Sequence, residues 1–366
     1  MIYDETHKAN MNVAFEEAKK GIFSSAPNPS VGCVIVKEGK IIARGFHAKC
    51  GSDHAEVVAL KQAGKQAAGG YCYVTLEPCN HIGRTGRCTD ALIDAKVKAV
   101  IAAIRDPNPT VEGDGIERLK RAGIDVLVDV EREFAEEFYK NYLFRVKNNR
   151  PLVKLKIGMS IDASSAMKSG ESKWITSKSS REDVQFLRAA SCVILTGVGT
   201  VTSDNPSLNV RHPNIFMNGR QPTRVVLDSN LSINIESKIL NDNEKTIIFT
   251  CSQNAKSVKK LKMQGTEVYK LPEHDKRVDL QQVFHRLNQM NINQVLVEAG
   301  SLLTSKILST DYWDELIIYI APKLLGNESR SAIKIKSPER LCQAKNLELI
   351  DVKPFDDDVR LTYRKI

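Results

Sequence analysis

Aromatic residues are scarce in this chain, 6% of 366, with only two tryptophans. No run of Lys and Arg interleaves with them, so the stacking platform and basic groove of a single-strand nucleic-acid binder are missing. No apolar stretch approaches the roughly 20 residues of a membrane span. The opening Met1-Ile2-Tyr3-Asp4-Glu5 has neither a basic cluster nor an apolar run, which argues against a secretory signal. Neither an internal repeat nor a low-complexity tract is present. Eight cysteines in so long a chain form no disulfide framework. Two of them have a metal-site context and the rest are scattered, which points to a reducing cytoplasm. The length exceeds one ordinary core, so two domains are expected, and an apolar fraction of 42% is usual for a globular protein. A net charge of +9 fits either small phosphorylated ligands or a plain basic surface better than nucleic acid.

The chemistry-bearing signal is His54-Ala55-Glu56, followed by Pro78-Cys79 and then Cys88. One imidazole and two thiolates make a zinc set, and thiolates disfavour magnesium or calcium. Three protein ligands leave a fourth position for water, whose pKa zinc lowers from about 15.7 to about 7. Glu56 can then act as general acid and base, moving the water's proton to a ring nitrogen and to departing ammonia. This is the residue pattern of zinc-dependent base deaminases, although the gap from Cys79 to Cys88 is longer than their usual one. The reading is hydrolytic deamination of a nucleobase-like amidine by a zinc-hydroxide. Positions two apart on a helix face different sides, so His54 and Glu56 must occupy a first turn or a bend. His47, Cys50, Cys72 and His81 are further ligand-type residues with weaker framing.

Along the chain, helical periodicity over 4–21 is followed by strands at 31–37 and 41–45, joined at Glu38-Gly39 as a hairpin. Helix 54–66, strand 71–76, helix 88–95, strand 99–104, helix 115–122, strand 124–130 and helix 131–144 follow. Arg145-Val146-Lys147-Asn148-Asn149-Arg150 reads as a polar linker. Beyond it, strands are expected at 152–158, 192–195, 224–227, 246–250, 268–271, 294–297, 315–320 and 359–363, with a helix at 180–190 and another opening near Ser301. Both halves are therefore α/β. Gly197-x-Gly199 and Gly300 each follow a strand, where backbone N–H groups could approach a phosphate. Neither completes a dinucleotide fingerprint, and tight helix–strand packing accounts for them equally well. Arg188 and Arg211 could clamp a phosphate or simply lie on the surface.

Several longer strings are more specific. Pro27-Asn28-Pro29-Ser30-Val31-Gly32, His54-Ala55-Glu56, Thr75-Leu76-Glu77-Pro78-Cys79, His81-Ile82-Gly83-Arg84-Thr85 and Asp106-Pro107-Asn108-Pro109 resemble the RibD family of bifunctional riboflavin-biosynthesis proteins. The second half agrees in Ser169-Gly170-Glu171-Ser172-Lys173-Trp174-Ile175-Thr176, Asp204-Asn205-Pro206, Val297-Glu298-Ala299-Gly300 and Ala321-Pro322-Lys323-Leu324-Leu325-Gly326. The resemblance implies a cytidine-deaminase-like α/β/α domain over 1–146 and a dihydrofolate-reductase-like α/β domain over 147–366. The first would be a diaminohydroxyphosphoribosylaminopyrimidine deaminase, converting 2,5-diamino-6-(5-phosphoribosylamino)pyrimidin-4(3H)-one to 5-amino-6-(5-phosphoribosylamino)uracil. The second would reduce the ribosyl group of that uracil to ribityl with NADPH.

Carried over by motif, His54, Cys79 and Cys88 would bind zinc and Glu56 would shuttle protons, with Asn28 and His47 in the deaminase pocket. Gly158, Trp174, Thr200, Asp204, Ser229 and the turn Gly300-Ser301-Leu302-Leu303 would line the NADPH site. Ser172, Arg188, Leu208, Arg211 and Glu298 would hold the phosphorylated pyrimidine. The likeness further implies phosphoribosylaminopyrimidine substrates, a homo-oligomer in the cytoplasm, and neither nucleic acid nor membrane as partner. The chain departs from the family where Ala163-Ser164 follows Ile161-Asp162, since glycine and a basic residue are usual there. A lost positive charge would weaken the grip on the reductase substrate. Gly86-Arg87, where prolines are common, is a lesser departure. Two rivals predict other features: an RNA-acting deaminase needs base-stacking aromatics and a basic groove, and a zinc-stabilised scaffold needs four protein ligands.

Overall fold

The structure is a computed structural model that describes residues 4–81, 86–108 and 113–366. Ile82-Gly83-Arg84-Thr85, Pro109 and the opening Met1-Ile2-Tyr3 lie outside the described residues. The chain divides into two compact units, 1–148 with 216–220, and 149–215 with 221–366.

The first unit runs α1 (Glu5–Lys19), β1 (Gly32–Lys37), β2 (Lys40–Phe46), α2 (Ala55–Ala63), β3 (Tyr71–Val74), α3 (Cys88–Asp94), β4 (Ala99–Ala102), α4 (Asp114–Arg121), β5 (Asp125–Leu127), α5 (Arg132–Phe138) and α6 (Lys140–Asn148). Asp4 starts α1 by accepting the His7 N–H at 2.9 Å. Glu38 and Gly39 both take positive φ, the turn geometry that matches the twist of a two-residue hairpin, and β1 and β2 pair antiparallel across it. The sheet order is β2-β1-β3-β4-β5. β3, β4 and β5 are mutually parallel, whereas β1 is antiparallel to β2 and β3. Strand alternation divides the apolar residues between two faces. Val34, Val36, Tyr73 and Ile101 pack with Met11 and Phe15 of α1 and with Ala135, Tyr139 and Tyr142. Cys33, Ile35, Cys72, Val74 and Val100 pack with Ala55 and Ala59 of α2, Leu92 of α3 and Leu119 of α4. Helices cover both faces.

The expected linker is partly helix. α6 continues to Asn148, and Leu143 and Val146 pack against the core that α1 shares, so burying these apolar residues outweighs the polar appearance of 145–148.

The second unit runs β6 (Leu152–Ser160), β7 (Ser164–Ala166), α7 (Lys178–Ala190), β8 (Val193–Gly197), α8 (Val198–Asp204), β9 (Thr223–Leu227), β10 (Thr246–Thr250), α9 (Ala255–Met263), β11 (Glu267–Lys270), β12 (Glu273–His274), β13 (Arg277–Val278), α10 (Leu280–Gln289), β14 (Gln294–Val297), α11 (Ser301–Leu308), β15 (Glu315–Ala321), β16 (Arg330–Ser331), β17 (Leu347–Phe355) and β18 (Asp358–Lys365). Nine strands form one sheet, in the order β11-β10-β9-β8-β14-β6-β15-β18-β17. It is parallel except where β18 runs antiparallel to β15 and β17. Val153, Leu155, Val295 and Val297 pack with Val283, Phe284 and Leu287 of α10 and Ile307 of α11, around the buried Trp313. Ile194, Val226 and Ile248 face the other way, toward Val201 and Leu261. Such continuous apolar strands are expected of a parallel sheet covered on both sides.

Candidate active sites

In the first unit, β3 ends one residue before Thr75, and the chain runs on through Glu77-Pro78 to Cys79. Cys88 is the first residue of α3, and His54 is the extended residue just ahead of α2. The ligand atoms of His54, Cys79 and Cys88 all lie within 4.8 Å of one another. His54 Nδ1 is 3.2 Å from Cys88 Sγ and 3.5 Å from Cys79 Sγ. A tetrahedral zinc with ordinary Zn–N and Zn–S bonds has N···S edges of about 3.6 Å, so the spacing and the donor types both fit that ion. Glu56 occupies the first turn of α2, which resolves how residues two apart can serve one site: His54 precedes the helix rather than lying within it.

The electrostatics suit proton transfer. Burial raises Glu56 to about 7, with the nearby Cys79 charge as the next cause. Hydrogen bonds from Cys88 and His54 hold Cys79 far below an ordinary thiol, despite its burial. Cys88 lies well above the ordinary value because it donates to Cys79, so the charge of the pair resides on Cys79. Beside them, burial lowers His47 and keeps its ring neutral. His47 Nδ1 donates to the Asp53 carbonyl at 3.1 Å, which leaves Nε2 to accept from Asn28 Nδ2 at 3.1 Å. Asn28 Oδ1 then serves as an acceptor, and the Cys50 thiol donates to it at 3.7 Å. His47 lies 5.2 Å from His54, ring to ring. Cys72 faces Cys33 at 3.4 Å instead. Among the described residues, His54, Cys79 and Cys88 are the group able to hold a metal, with no fourth protein ligand.

In the second unit, a cleft of about 1630 Å³ opens at the carboxyl ends of β8, β9 and β14. Gly158, Trp174, Thr200, Asp204, Ser229, Gly300, Ser301, Leu302 and Leu303 line it, together with Ser172, Arg188, Leu208, Arg211 and Glu298. Ligands of open α/β sheets bind in this position. Gly300 precedes α11, and its N–H donates to Thr200 Oγ1 at 3.0 Å. Glu298 is 8% exposed and accepts from Arg188 Nε at 2.6 Å and Nη2 at 3.1 Å. Lys156 Nζ stands 3.4 Å from the same carboxylate. Burial opposes ionisation of Glu298, but these two cations outweigh it and hold the carboxyl at about 2. Arg188 Nη1 also donates to the Asn209 carbonyl at 3.0 Å, so three of its N–H groups are already engaged.

The zinc-binding region of cytidine and deoxycytidylate deaminases matches residues 4–104, and the RibD C-terminal domain matches 151–361. The riboflavin biosynthesis protein RibD of Escherichia coli K12 is 41% identical over 357 residues, 95% of this chain and 96% of that protein. The chain belongs to the RibD family. The Haemophilus influenzae RibD is also 41% identical, covering 96% of both chains. The solved Acinetobacter baumannii RibD, form 2, superposes with a TM-score of 0.91 at 39% identity over 99% of both chains. The Thermotoga maritima diaminohydroxyphosphoribosylaminopyrimidine deaminase/5-amino-6-(5-phosphoribosylamino)uracil reductase gives 0.83 at 32% identity, again over 99% of each. The architecture is thus a cytidine deaminase domain followed by the RibD reductase domain. The first carries the family's zinc-binding region, and NADPH is the cofactor the family implies for the second.

Beyond the motif positions of the RibD family, the structure adds groups that the linear sequence did not expose. Lys156 follows Lys154 by two in the mostly apolar β6, and two half-buried cations in a central strand were the available signal. Arg181 lies over the Trp174 ring at 4.4 Å, a pairing made only in three dimensions. Glu77 accepts the N–H groups of Asp106, Gly113 and Ile116 at 3.1–3.3 Å and so steadies the approach to Cys79. At the departing Ala163-Ser164, Ala163 adopts φ 60°. Ser164 is buried with its hydroxyl on Ser329, while Ser165 and Ala166 line the cleft.

Proposed function

We propose that this chain performs two consecutive steps of riboflavin biosynthesis at separate sites. Residues 1–146 deaminate 2,5-diamino-6-(5-phosphoribosylamino)pyrimidin-4(3H)-one, and residues 147–366 reduce the ribosyl group of the resulting uracil with NADPH. The observation that carries the reading is the meeting of His54, Cys79 and Cys88 with a buried Glu56 beside them. His54, Cys79 and Cys88 hold zinc, which supplies a Lewis acid able to make water reactive near neutral pH. Glu56, poised at about 7, would take one proton from water and give it to the ring nitrogen, then carry that water's second proton, from the hydroxyl now on carbon, to the amine that departs as ammonia. Asn28, its amide oriented by His47, seats the pyrimidine through Oδ1, which accepts.

In the second cleft, NADPH supplies the hydride. Trp174, Thr200, Asp204, Ser229, Gly158 and the Gly300-Ser301-Leu302-Leu303 turn, all lining the cleft, would bind the cofactor and orient it toward the opened sugar. Ser172, Leu208 and Arg211 hold the phosphorylated pyrimidine, and Glu298 keeps Arg188 aligned toward it. Two anionic ligands give the net charge of +9 a use. A homo-oligomer is supported by β17, an edge strand that leaves Leu349, Ile350 and Val352 about half exposed. Sedimentation of the purified protein checks it. Six cysteines outside the zinc set, none in a disulfide, support a reducing cytoplasm.

The test supplies wild type and Glu56→Gln with the diaminopyrimidine substrate and NADPH. Wild type releases ammonia and oxidises NADPH. The variant loses deamination by about 10²–10⁴-fold, the usual weight of a general acid–base group, yet oxidises NADPH when given the uracil intermediate. Loss of both activities in a folded, zinc-loaded variant would overturn the division into two sites.

A further inference from the structure

Tyr139 lies between α5 and α6, outside both matched regions, and the chemistry above makes no use of it. Its side chain is 3% exposed, yet its hydroxyl reaches two distant segments. Tyr139 Oη is 3.0 Å from the Ser30 carbonyl and 2.6 Å from Thr75 Oγ1. The directions of these bonds are fixed. A carbonyl can only accept, so the single phenolic proton goes to Ser30. Thr75 Oγ1 accepts the Gly32 N–H at 3.0 Å and must then donate its own proton. Tyr139 at 2.6 Å is a better acceptor for it than the Gly32 carbonyl at 3.4 Å. One directed chain results: Gly32 N–H to Thr75, Thr75 to Tyr139, Tyr139 to the Ser30 carbonyl.

One end of that chain, Ser30, lies two residues after Asn28, the other, Gly32, opens β1, and its middle at Thr75 lies four residues before Cys79. Ser30 is 8% exposed and Thr75 is fully buried, so water does not replace these bonds cheaply. Three residues further on, Tyr142 Oη donates to Asp106 Oδ1 at 2.7 Å, and the Asp106 N–H donates to Glu77 Oε2 at 3.1 Å. The α5–α6 segment thus grips the deaminase site from behind at two points.

We propose that Tyr139 is a positioning residue for the deamination. It fixes the distance between Asn28, which meets the pyrimidine, and the strand end that delivers Cys79. It acts on how substrate is seated rather than on the metal or on proton transfer. The inference rests on the reading of Asn28 as a substrate-seating group.

The test is steady-state deamination by wild type, Tyr139→Phe, Thr75→Val, Thr75→Ser and Asn28→Ala, with zinc content, melting temperature and reduction of the uracil intermediate followed for each. Tyr139→Phe and Thr75→Val are each expected to raise KM at least fivefold while kcat changes less than twofold. Zinc content and reductase constants stay at the wild-type level, and Thr75→Ser, which keeps the hydroxyl, restores KM to within twofold. The double variant Tyr139→Phe/Thr75→Val is expected to be no worse than the poorer single one, because both cut the same chain. An unchanged KM in Tyr139→Phe overturns the proposal while Asn28→Ala still raises KM. Loss of zinc, or a parallel fall of both activities with melting temperature, also overturns it by showing a purely structural role. If Asn28→Ala leaves KM unaltered, the reading of Asn28 fails first and the inference falls with it.

Discussion

Glu56 and Glu298 are both buried carboxyls, and their neighbours drive them in opposite directions. Around Glu56, burial and the Cys79 charge favour the protonated form and bring it to about 7, where a group can both take and give a proton. Around Glu298, burial is overcome by Arg188 and Lys156, which keep it an anion down to about 2. A carboxyl depressed in the folded state adds stability that is complete above its unfolded value and is lost as pH falls through the folded one. The second unit is therefore expected to weaken between about pH 4.5 and 2. Urea midpoints of wild type and Glu298→Gln should converge across that window. A difference that stays constant from pH 7 to pH 3 would refute the assignment. Ala163 offers a second residue-scale expectation, because φ 60° suits glycine. Ala163→Gly is expected to stabilise by about 0.5–1 kcal/mol, read as a higher urea midpoint of the second unit. The zinc set was legible in the sequence because the chemistry dictates its residue types. Lys156 and Arg181 were not, because each acquires its meaning from a partner more than a hundred residues away or from a ring stacked across a turn.

At the scale of elements, most strands could be read from apolar runs, and β10 and β14 fall on the expected residues. α10 escaped although Leu280, Val283, Phe284 and Leu287 recur at helical spacing, whereas other elements that escaped carry no clean period. β17 is exposed along nearly its whole length, so no buried face marks it, and α9 presents four lysines around a single buried leucine. The reading of 145–150 as linker holds only at its end, where the units part after Asn148, because the polar residues before it share a helix with Leu143 and Val146, whose burial is tertiary. The element that matters most for the chemistry is α2, since His54 directly precedes it and Glu56 lies in its first turn. Its position depends on Gly45 of β2, where an added Cβ would lie 2.3 Å from the Ala55 carbonyl and 2.6 Å from the Ala59 nitrogen. Backbone cannot yield as a flexible side chain does. Gly45→Ala is thus expected to lift the start of α2, costing about 1–3 kcal/mol of stability, as overpacking of a tight contact does. Zinc per chain and ammonia release should fall together by tenfold or more, with reduction of the uracil intermediate retained. Full zinc content with normal deamination would show that α2 tolerates the shift.

At the scale of the whole molecule, two cores serve two chemistries. The apolar clusters that place Cys79, Cys88 and His54 contain no residue beyond 146, and the cluster beneath the second cleft contains none before 153. That division was foreseeable from length and from the two successive α/β patterns. The join was not, because α6 carries the first core's helical layer to Asn148 and Arg150 then anchors on Asp314 at 2.6 Å. Such separate packing has a consequence for metal removal. His54, Cys79 and Cys88 all belong to the first unit, so taking away zinc acts on that unit alone. The second cleft contains no cysteine among its lining residues and a single histidine, His274. A chelator such as 1,10-phenanthroline is therefore expected to abolish ammonia release while NADPH oxidation with the uracil intermediate keeps its wild-type KM and kcat. Adding zinc back should restore deamination, because Ala55, Val74 and Leu92, on the elements that carry the three ligands, are fixed by packing in the first core. Parallel loss of both activities on chelation would mean that the metal sustains the reductase as well, and the independence of the two cores would have to be abandoned.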